Sequence, residues 1–169
     1  MNGDAPARLR GLPPVIARHS RLVILGSFPG VASLQAQQYY GHPRNHFWPL
    51  LGAIWGLDLV ALPYAQRLTE LRRRGLGLWD VYASCRREGS LDTAIKDAEL
   101  NDLGSLKRHA PALQLVAHNG GESARAKKQV LALGLPVQRL PSSSPANASW
   151  SFERKLSAWR AAFQTAGIA

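Results

Sequence analysis

Short runs of consecutive apolar residues alternate along the chain with segments whose apolar residues recur at helical spacing. Such runs, bounded by glycine, proline or polar turns, are typical of buried strands. Four are found, at 21–26 (RLVILG), 77–83 (GLWDVYA), 113–117 (LQLVA) and within 136–140 (PVQRL). The pattern therefore predicts four strands, and the strand at 21–26 is expected to be buried.

The segments between and after these runs predict helices. The sequences are FWPLLGAIWG, YAQRLTELRRRG, LNDLGSLKRHAP, ESARAKKQVLALG and SFERKLSAWRAAFQTAG. In the last segment Phe152, Leu156, Trp159 and Phe163 fall on one helical stripe. Repeated alternation of strand and helix predicts an α/β fold with a parallel sheet and helices on both faces. We expect one domain over residues 1–169, with residues 1–11 as a loose N-terminal leader.

Parallel strands direct ligands to one edge of the sheet, just beyond the carboxyl ends of the strands. The loops expected at that edge are 26–46, 118–121 and 141–149. The unusual residues of the chain are concentrated in these loops. They are therefore the predicted location of any site.

Charge narrows the class of partner. Lysine and arginine number 21 against 11 acidic residues, which gives a net charge of +10. The basic residues form short groups rather than one tail, so a folded basic surface that binds nucleic acid is favoured over a membrane-binding arm. A single cysteine excludes an internal disulfide and a cysteine-ligated metal cluster. No 18-residue apolar run and no secretory signal are found, so we expect a cytoplasmic protein.

Two of the loops contain small polar residues held by prolines. The first is GSFPG, Gly26 to Gly30, which lacks the lysine and spacing of nucleotide-binding fingerprints and alone is also compatible with a tight turn. The second is LPSSSPANAS, residues 140–149, whose hydroxyl and backbone N–H groups suit phosphate oxygens. An N-cap for the last helix, at Asn147 or Ser149, is the alternative for that loop.

The stretch YYGHPRNHFWPLL, residues 39–51, contains polar residues among aromatic ones. Asn45 beside a helix start is either a helix cap or a polar group of a pocket. The neighbouring tyrosines are either core residues or a surface on which a flat base stacks. For His42 a hydrogen bond with the backbone is the simpler interpretation, and for Asp80 a buried acceptor is favoured over a catalytic role.

Taken together and in this order, GSFPG, YYGHPRNHFW and LPSSSPAN resemble the motifs of the uracil-DNA glycosylase superfamily. They are most similar to those of its hypoxanthine (deoxyinosine) DNA glycosylase family, and the resemblance extends over about residues 12–165. It implies a three-layer α/β/α sandwich with a four-stranded parallel sheet. It also implies a monofunctional DNA glycosylase that removes a deaminated base, needs no metal or other cofactor, and leaves an abasic site.

The resemblance further implies roles for individual residues. Asn45 is the candidate catalytic residue, which orients water or contacts the base edge. The candidate base pocket consists of Gly26, Ser27, Phe28, Tyr40 and Asn119. The candidate DNA-binding loop consists of Ser142, Ser143, Ser144, Pro145, Ala146 and Asn147. Within that loop, Pro145 and Ala146 are the candidate wedge that enters the base stack.

The chain departs from the superfamily pattern at two positions. Phe28 stands where the best-known members have an Asp or Asn that handles the attacking water, and Ser142 stands where they have a catalytic His or Asn. Three alternatives therefore remain open: preference for uracil or xanthine, a DNA-binding module without catalysis, and a phosphate-binding α/β protein. The expected partner is damaged DNA, bound by a monomer without a membrane or a metal.

Overall fold

The computed structural model describes residues 5–169, and within that range the chain forms seven strands and seven α-helices. The strands are β1 Arg8–Arg10, β2 Leu22–Gly26, β3 Leu76–Asp80, β4 Tyr82–Arg86, β5 Lys96–Leu100, β6 Leu115–Asn119 and β7 Val137–Leu140. The α-helices are α1 Val31–Ala36, α2 Phe47–Trp55, α3 Tyr64–Arg74, α4 Leu106–His109, α5 Gly121–Ala124, α6 Lys127–Leu131 and α7 Phe152–Thr165. Short 3₁₀ helices cover Asp92–Ala94 and Leu103–Ser105.

The main sheet has the strand order β3-β2-β6-β7, and every neighbouring pair is parallel. All residues of β2, β3 and β6 are buried, as expected for strands with helices on both faces. The predicted α/β fold with a four-stranded parallel sheet is confirmed. The register pairs Gly26 with Asp80 and Asn119 with Leu140, so these strand ends lie at one edge.

Two apolar cores cover the two faces of this sheet. Leu22 and Ile24 belong to a core shared with α2, α3 and α7, whereas Val23 and Leu25 belong to a core shared with α4 and α6. This alternation follows from the two-residue period of a strand. Helices therefore cover both faces, which makes three layers. The predicted stripe of the last helix is also observed, because Trp159 and Phe163 are buried while Phe152 and Leu156 pack against the same core.

A second sheet, with the order β1-β4-β5 and antiparallel pairing, is a feature that the sequence patterns do not predict. The single strand predicted at 77–83 is wrong, because the chain leaves the main sheet at Val81. The N–H groups of Val81 and Tyr82 donate to the carbonyls of Gly26 and Ser27, and the chain then continues as β4.

The N-terminal leader also needs a correction. Residues 1–4 lie outside the described residues, but Arg8–Arg10 form β1 and pair with β4. The N–H of Gly11 donates to the carbonyl of Ala83, which extends that pairing. Residues 8–11 are therefore part of the fold and not a loose leader.

Two helical predictions also differ from the structure. The helix predicted from ESARAKKQVLALG is divided into α5 and α6, and α1 lies within the first long loop. No helix among the described residues is long and apolar enough to span a membrane.

Candidate active site

A cavity of about 910 Å³ opens at the carboxyl ends of the parallel strands. Its volume falls within the range of small-molecule sites, roughly 300–1,000 Å³. Every residue that the sequence predicts for the site lines it: Gly26, Ser27, Phe28, Tyr40, Asn45, Asn119, Ser142, Ser143, Ser144, Pro145, Ala146 and Asn147. The three motifs, which are far apart in the sequence, therefore meet at one cavity.

Gly26 ends β2 at a point where a side chain has no room. A Cβ atom there would collide with Oδ1 of Asp80 and would lie 3.1 Å from the hydroxyl of Tyr40. Glycine at this position lets a carboxyl and a phenol approach the end of the strand closely. The floor of the cavity therefore contains two polar groups beside bare backbone.

Phe28 and Ser27 form the wall next to this floor. Phe28 is only 6% exposed, and the guanidinium carbon of Arg87 lies 5.4 Å from the centre of its ring. Ser27 donates a 2.6 Å hydrogen bond to Oδ1 of Asp92, and Arg87 donates to the carbonyl of Pro29. Phe28 contributes shape and an apolar surface to the cavity but has no group that can move a proton.

Tyr40 connects the aromatic stretch to the end of β6. Its backbone has a φ of 53°, and its ring stacks on Phe47 with the centroids 4.0 Å apart. Its hydroxyl accepts a hydrogen bond from Asn119 at 3.2 Å. Burial, followed by the charge of Asp80, raises the pKa of Tyr40 above its usual range. The hydroxyl therefore remains protonated at neutral pH.

Asn119 holds the third motif against the second. Its Nδ2 donates to Tyr40 and, at 2.9 Å, to Oγ of Ser143, while its Oδ1 accepts from the N–H of Ser143 at 2.9 Å. Both amide hydrogens are thus used within the protein. Contact between the Asn119 side chain and a base would have to use the second lone pair of Oδ1 or replace one of these bonds.

Asn45 is half-buried and lies just before α2. Its Oδ1 accepts a 2.9 Å hydrogen bond from the N–H of Phe47, the first residue of that helix. This bond joins residues two apart and forms an Asx turn just before the helix. The cap residue itself is His46, so the predicted alternative of Asn45 as the helix cap is wrong. The same side chain lines the cavity, so the turn and a role in the pocket are compatible in position. His42 accepts a hydrogen bond from the N–H of Arg44 at 3.0 Å, which confirms its predicted contact with the backbone.

Residues 141–149 form a loop that is attached to both α2 and α7. The carbonyl of Ser143 accepts a 2.9 Å bond from the N–H of His46, and Trp159 donates to the carbonyl of Pro141 at 2.9 Å. Asn147 donates to the carbonyl of Ser142 at 3.1 Å. The predicted cap for the last helix at Asn147 or Ser149 is wrong. Ser151 caps α7 instead, because its hydroxyl accepts from the N–H of Arg154 at 3.2 Å.

Asp80 lies in the cavity although it was not among the site residues predicted from the sequence. It is 5% exposed, lines the cavity, and its Oδ2 has no hydrogen-bond partner among residues 5–169. Burial is the main cause that raises the pKa of the Asp80 carboxyl to about 7, the Asp92 carboxylate adds to this shift, and Arg87 opposes it. The sequence shows Asp80 only as an acid inside an otherwise apolar run. Its place at the end of a strand beside Gly26 depends on the pairing of β2 with β3, which the sequence pattern does not reveal.

No cluster of three or more metal-binding side chains is found in the described part of the chain. The exposed residue Arg139 also lines the cavity and provides a positive charge at its edge. The side chains that line the cavity offer amide, hydroxyl, carboxyl, imidazole, guanidinium and aromatic groups.

Comparison with known proteins identifies the family. The family model of the uracil DNA glycosylase superfamily matches residues 13–165. The chain belongs to the uracil DNA glycosylase superfamily. Two relatives named hypoxanthine DNA glycosylase, from Methanosarcina barkeri and Methanosarcina acetivorans, are 46% and 40% identical to it. Each alignment covers 92% of this chain and 98% of the relative.

A solved structure agrees with this assignment. The solution NMR structure of a Methanosarcina acetivorans protein with a provisional uracil DNA glycosylase name matches with a TM-score of 0.86 and 38% identity. The match covers 95% of this chain and 99% of that one. The family and the fold that the three motifs predict are both confirmed.

Proposed function

We propose that this member of the superfamily is a monofunctional DNA glycosylase that removes hypoxanthine from deoxyinosine. The reaction breaks the N-glycosidic bond with water and leaves an abasic site for base excision repair. The observation that carries the proposal is the cavity in which the three motifs meet. The two relatives named hypoxanthine DNA glycosylase support the choice of base.

Access to the cavity requires that the nucleotide leave the helix. Extrusion of a base costs a few kcal/mol and costs less for a weak pair such as one that contains inosine. The loop at 141–149 offers hydroxyl and amide groups to the phosphates on either side of the lesion, and Arg139 adds a cation beside it. These contacts offset part of the cost of extrusion.

Inside the cavity, each predicted residue has a distinct task. Asn45 orients the water or contacts the base, since an amide cannot act as a strong general base. Tyr40 and Phe28 present aromatic surfaces to the base, and the backbone at Gly26 and Ser27 approaches its edge. These assignments follow from position and chemistry, and the experiment below tests the central one.

Two other functions compete with this proposal. A preference for uracil or xanthine uses the same chemistry with a different base, and a non-catalytic DNA-binding module uses only the loop and the charge. The absence of an acid at Phe28 and of a His or Asn at Ser142 favours the module. The buried carboxyl of Asp80 in the cavity, whose pKa is raised to about 7 mainly by burial, favours catalysis. Action on DNA as a monomer in the cytoplasm, without a cofactor, remains a prediction.

The test uses duplexes that carry one deoxyinosine, deoxyuridine or deoxyxanthosine, with an undamaged duplex beside them. Alkali converts each abasic site to a strand break, which is quantified on a gel. We expect breaks at deoxyinosine above the other lesions. Cleavage mainly at deoxyuridine would overturn the choice of base, and bound but uncleaved DNA would favour the non-catalytic module.

Two variants separate the roles of Asn45. Asn45→Ala loses both the amide and the bond to the N–H of Phe47, whereas Asn45→Ser keeps an oxygen that can accept that bond. If the amide acts in the reaction, both variants lose about 10²-fold in rate, the scale of the loss when reacting groups are misplaced. Normal activity in Asn45→Ser would show that Asn45 only starts the helix. Thermal unfolding confirms that each variant is folded.

A further inference from the structure

The Asp80 side chain occupies a costly position without a visible structural reason. It is buried at the floor of the cavity, and Oδ2 has no hydrogen-bond partner among residues 5–169. A buried polar atom without a partner destabilises the fold, and it does so more strongly when it is charged. The chain also keeps a glycine at position 26, where a Cβ would collide with this carboxyl. Asp80 lines the cavity, and a buried polar group left without a partner in a native structure calls for an explanation such as a catalytic role.

The groups around Asp80 set its protonation. Asp92 repels a second negative charge, Arg87 attracts it, and the hydroxyls of Tyr39 and Tyr40 stay protonated beside it. The structure records no ion pair between Asp80 and Arg87 within residues 5–169, so the charge of Asp80 is not neutralised by contact. Near neutral pH both the acid and its conjugate base are populated, which suits a group that gives and regains a proton.

We propose that Asp80 is the general acid that protonates the departing base, a role that rests on the proposed function. As the bond from C1′ to N9 breaks, its electron pair moves into the purine. The Asp80 carboxyl transfers its proton to N7, and the base leaves as a neutral molecule. Water forms the new bond to C1′ and releases a proton to the Asp80 carboxylate, which restores the acid. No oxidant, metal or further reactant is needed.

This role explains how a cavity without a strong base can break the bond. Proton transfer from Asp80 lowers the barrier to bond cleavage because it neutralises the negative charge that develops on the departing base. Asn45 then only has to orient the water. The role also favours purines, because uracil has no N7 to receive the proton. Asp80 therefore acts on specificity as well as on rate.

The decisive variant is Asp80→Asn, which keeps the size of the side chain and lacks the transferable proton. Single-turnover excision of deoxyinosine is measured between pH 5 and pH 9. We expect the wild-type rate to fall about tenfold per pH unit above a pKa near 7. The variant should be slower by roughly 10²–10⁴ at low pH and should lack this alkaline decline. A variant that retains both the rate and the decline would overturn the proposal.

A substrate that carries the activation already gives a second test. 7-Methyl-deoxyinosine has a permanent positive charge on its imidazole ring and needs no proton from the enzyme. We expect the defect of Asp80→Asn to shrink at least tenfold on this substrate, measured against spontaneous loss of the base. An unchanged defect would mean that Asp80 is structural. Failure of the proposed function is a separate result, because the wild-type protein would then excise no deoxyinosine at any pH.

A second observation concerns the loop between β4 and β5. Ser90 accepts a hydrogen bond from the N–H of Val31 at 2.9 Å, and Asp92 accepts one from Ser27 at 2.6 Å. Asp92 is thereby attached to the first motif, and Ser90 to the residue that follows it. Leu91, between them, is 59% exposed and lines the cavity. A large apolar side chain is thus held in solvent at the opening between two anchored neighbours.

We infer that Leu91 enters the base stack and fills the space that the extruded nucleotide leaves. Apolar side chains such as leucine serve as wedges in proteins that distort the duplex. The wedge predicted from the sequence, Pro145 and Ala146, is also exposed but offers shorter side chains. Leu91 reaches further, and its loop is fixed by two hydrogen bonds. This inference also rests on the proposed function.

The test compares Leu91→Ala with Leu131→Ala, a matched control whose exposed leucine is not among the residues that line the cavity. Fluorescence of 2-aminopurine beside the lesion reports extrusion without any need for excision. We expect Leu91→Ala to reduce the fluorescence rise and to slow excision from duplex at least fivefold, with excision from single strands unchanged. Equal losses on both substrates, or no loss on duplex, would overturn the inference. A wild-type protein that extrudes the base but excises nothing would refute the proposed function alone.

Discussion

Single residues at the floor of the cavity destabilise the fold but provide groups that can act in a reaction. Gly26 leaves the space, Asp80 fills it with a carboxyl, and Tyr40 adds a protonated hydroxyl. Buried acids without full hydrogen bonding destabilise a fold, and proteins accept that cost mainly at functional sites. The cost itself can be measured apart from any activity.

Asp80→Asn is therefore expected to stabilise the protein at neutral and higher pH. The folded-state pKa of Asp80 is raised to about 7, so the stability that the protonated form provides is complete below the unfolded pKa near 4. It is lost as the pH rises through the interval between about 4 and 7. The variant should match the wild type at pH 4 and exceed it by on the order of 1–4 kcal/mol at pH 8. Urea unfolding at both pH values measures this difference.

The matched control for this measurement is Glu88→Gln, which removes an exposed carboxylate of the same charge. Its free energy of unfolding should change little at either pH. A loss of stability in Asp80→Asn at pH 8 would show that the carboxylate has a favourable structural role, contrary to this account.

Whole elements differ in how far the sequence predicts them. The strands of the main sheet were predictable because β2, β3 and β6 are buried at every position and read as continuous apolar runs. The second sheet was not, because every residue of β5 is exposed and its sequence KDAEL has neither strand propensity nor alternation. β4 follows β3 after a single residue, so one run of sequence contained two strands of different sheets.

The residues of the site, like the strands, were predictable where a local sequence pattern marks them. The residues of the three motifs were identified because their glycines, prolines and polar side chains stand out between apolar runs and resemble the motifs of a known superfamily. Asp80 was not, because a short-range pattern cannot show which strand end lies beside it. Its position depends on the parallel register that pairs it with Gly26, which is a long-range property of the fold.

Helix α7 supports the candidate DNA-binding loop, residues 141–149, through a buried lysine. Lys155 is 1% exposed, and its Nζ lies 3.2 Å from Nδ1 of His46 and 3.5 Å from the carbonyl of Ser144. Lys155→Met keeps the length of the side chain but removes these donors. We expect the loop to loosen and the affinity for deoxyinosine DNA to fall about 3- to 10-fold, up to about 1.4 kcal/mol. Fluorescence anisotropy measures the dissociation constant.

Lys128→Met is the control for that experiment, because it removes the same charge from an exposed position. The control should weaken binding less than Lys155→Met does. Equal effects of the two variants would attribute the loss to net charge and not to support of the loop.

At the scale of the whole molecule, the net charge of +10 is expected to strengthen DNA binding through the release of counterions from the phosphates, which makes the affinity depend on salt. If the protein contacts about three to five phosphates, a rise in salt from 50 to 200 mM should weaken its affinity for DNA by roughly 40- to 500-fold. Anisotropy titrations with lesion-bearing duplex at several salt concentrations measure this slope. The single-turnover rate at saturating enzyme should stay constant, because chemistry inside the cavity releases few counterions. A flat binding curve would contradict a role for the basic surface.

The cavity gathers the ends of all four parallel strands. Gly26, Asp80, Asn119 and Leu140 end these strands in turn and line the cavity together. These four residues come from strands that lie far apart in the sequence, so the cavity forms only when all four strands have paired. Binding of a ligand in the cavity is consequently linked to folding, because only a molecule with all four strands paired can bind it. Free base bound there should raise the melting temperature of the whole domain, which makes the product a thermodynamic probe of native structure.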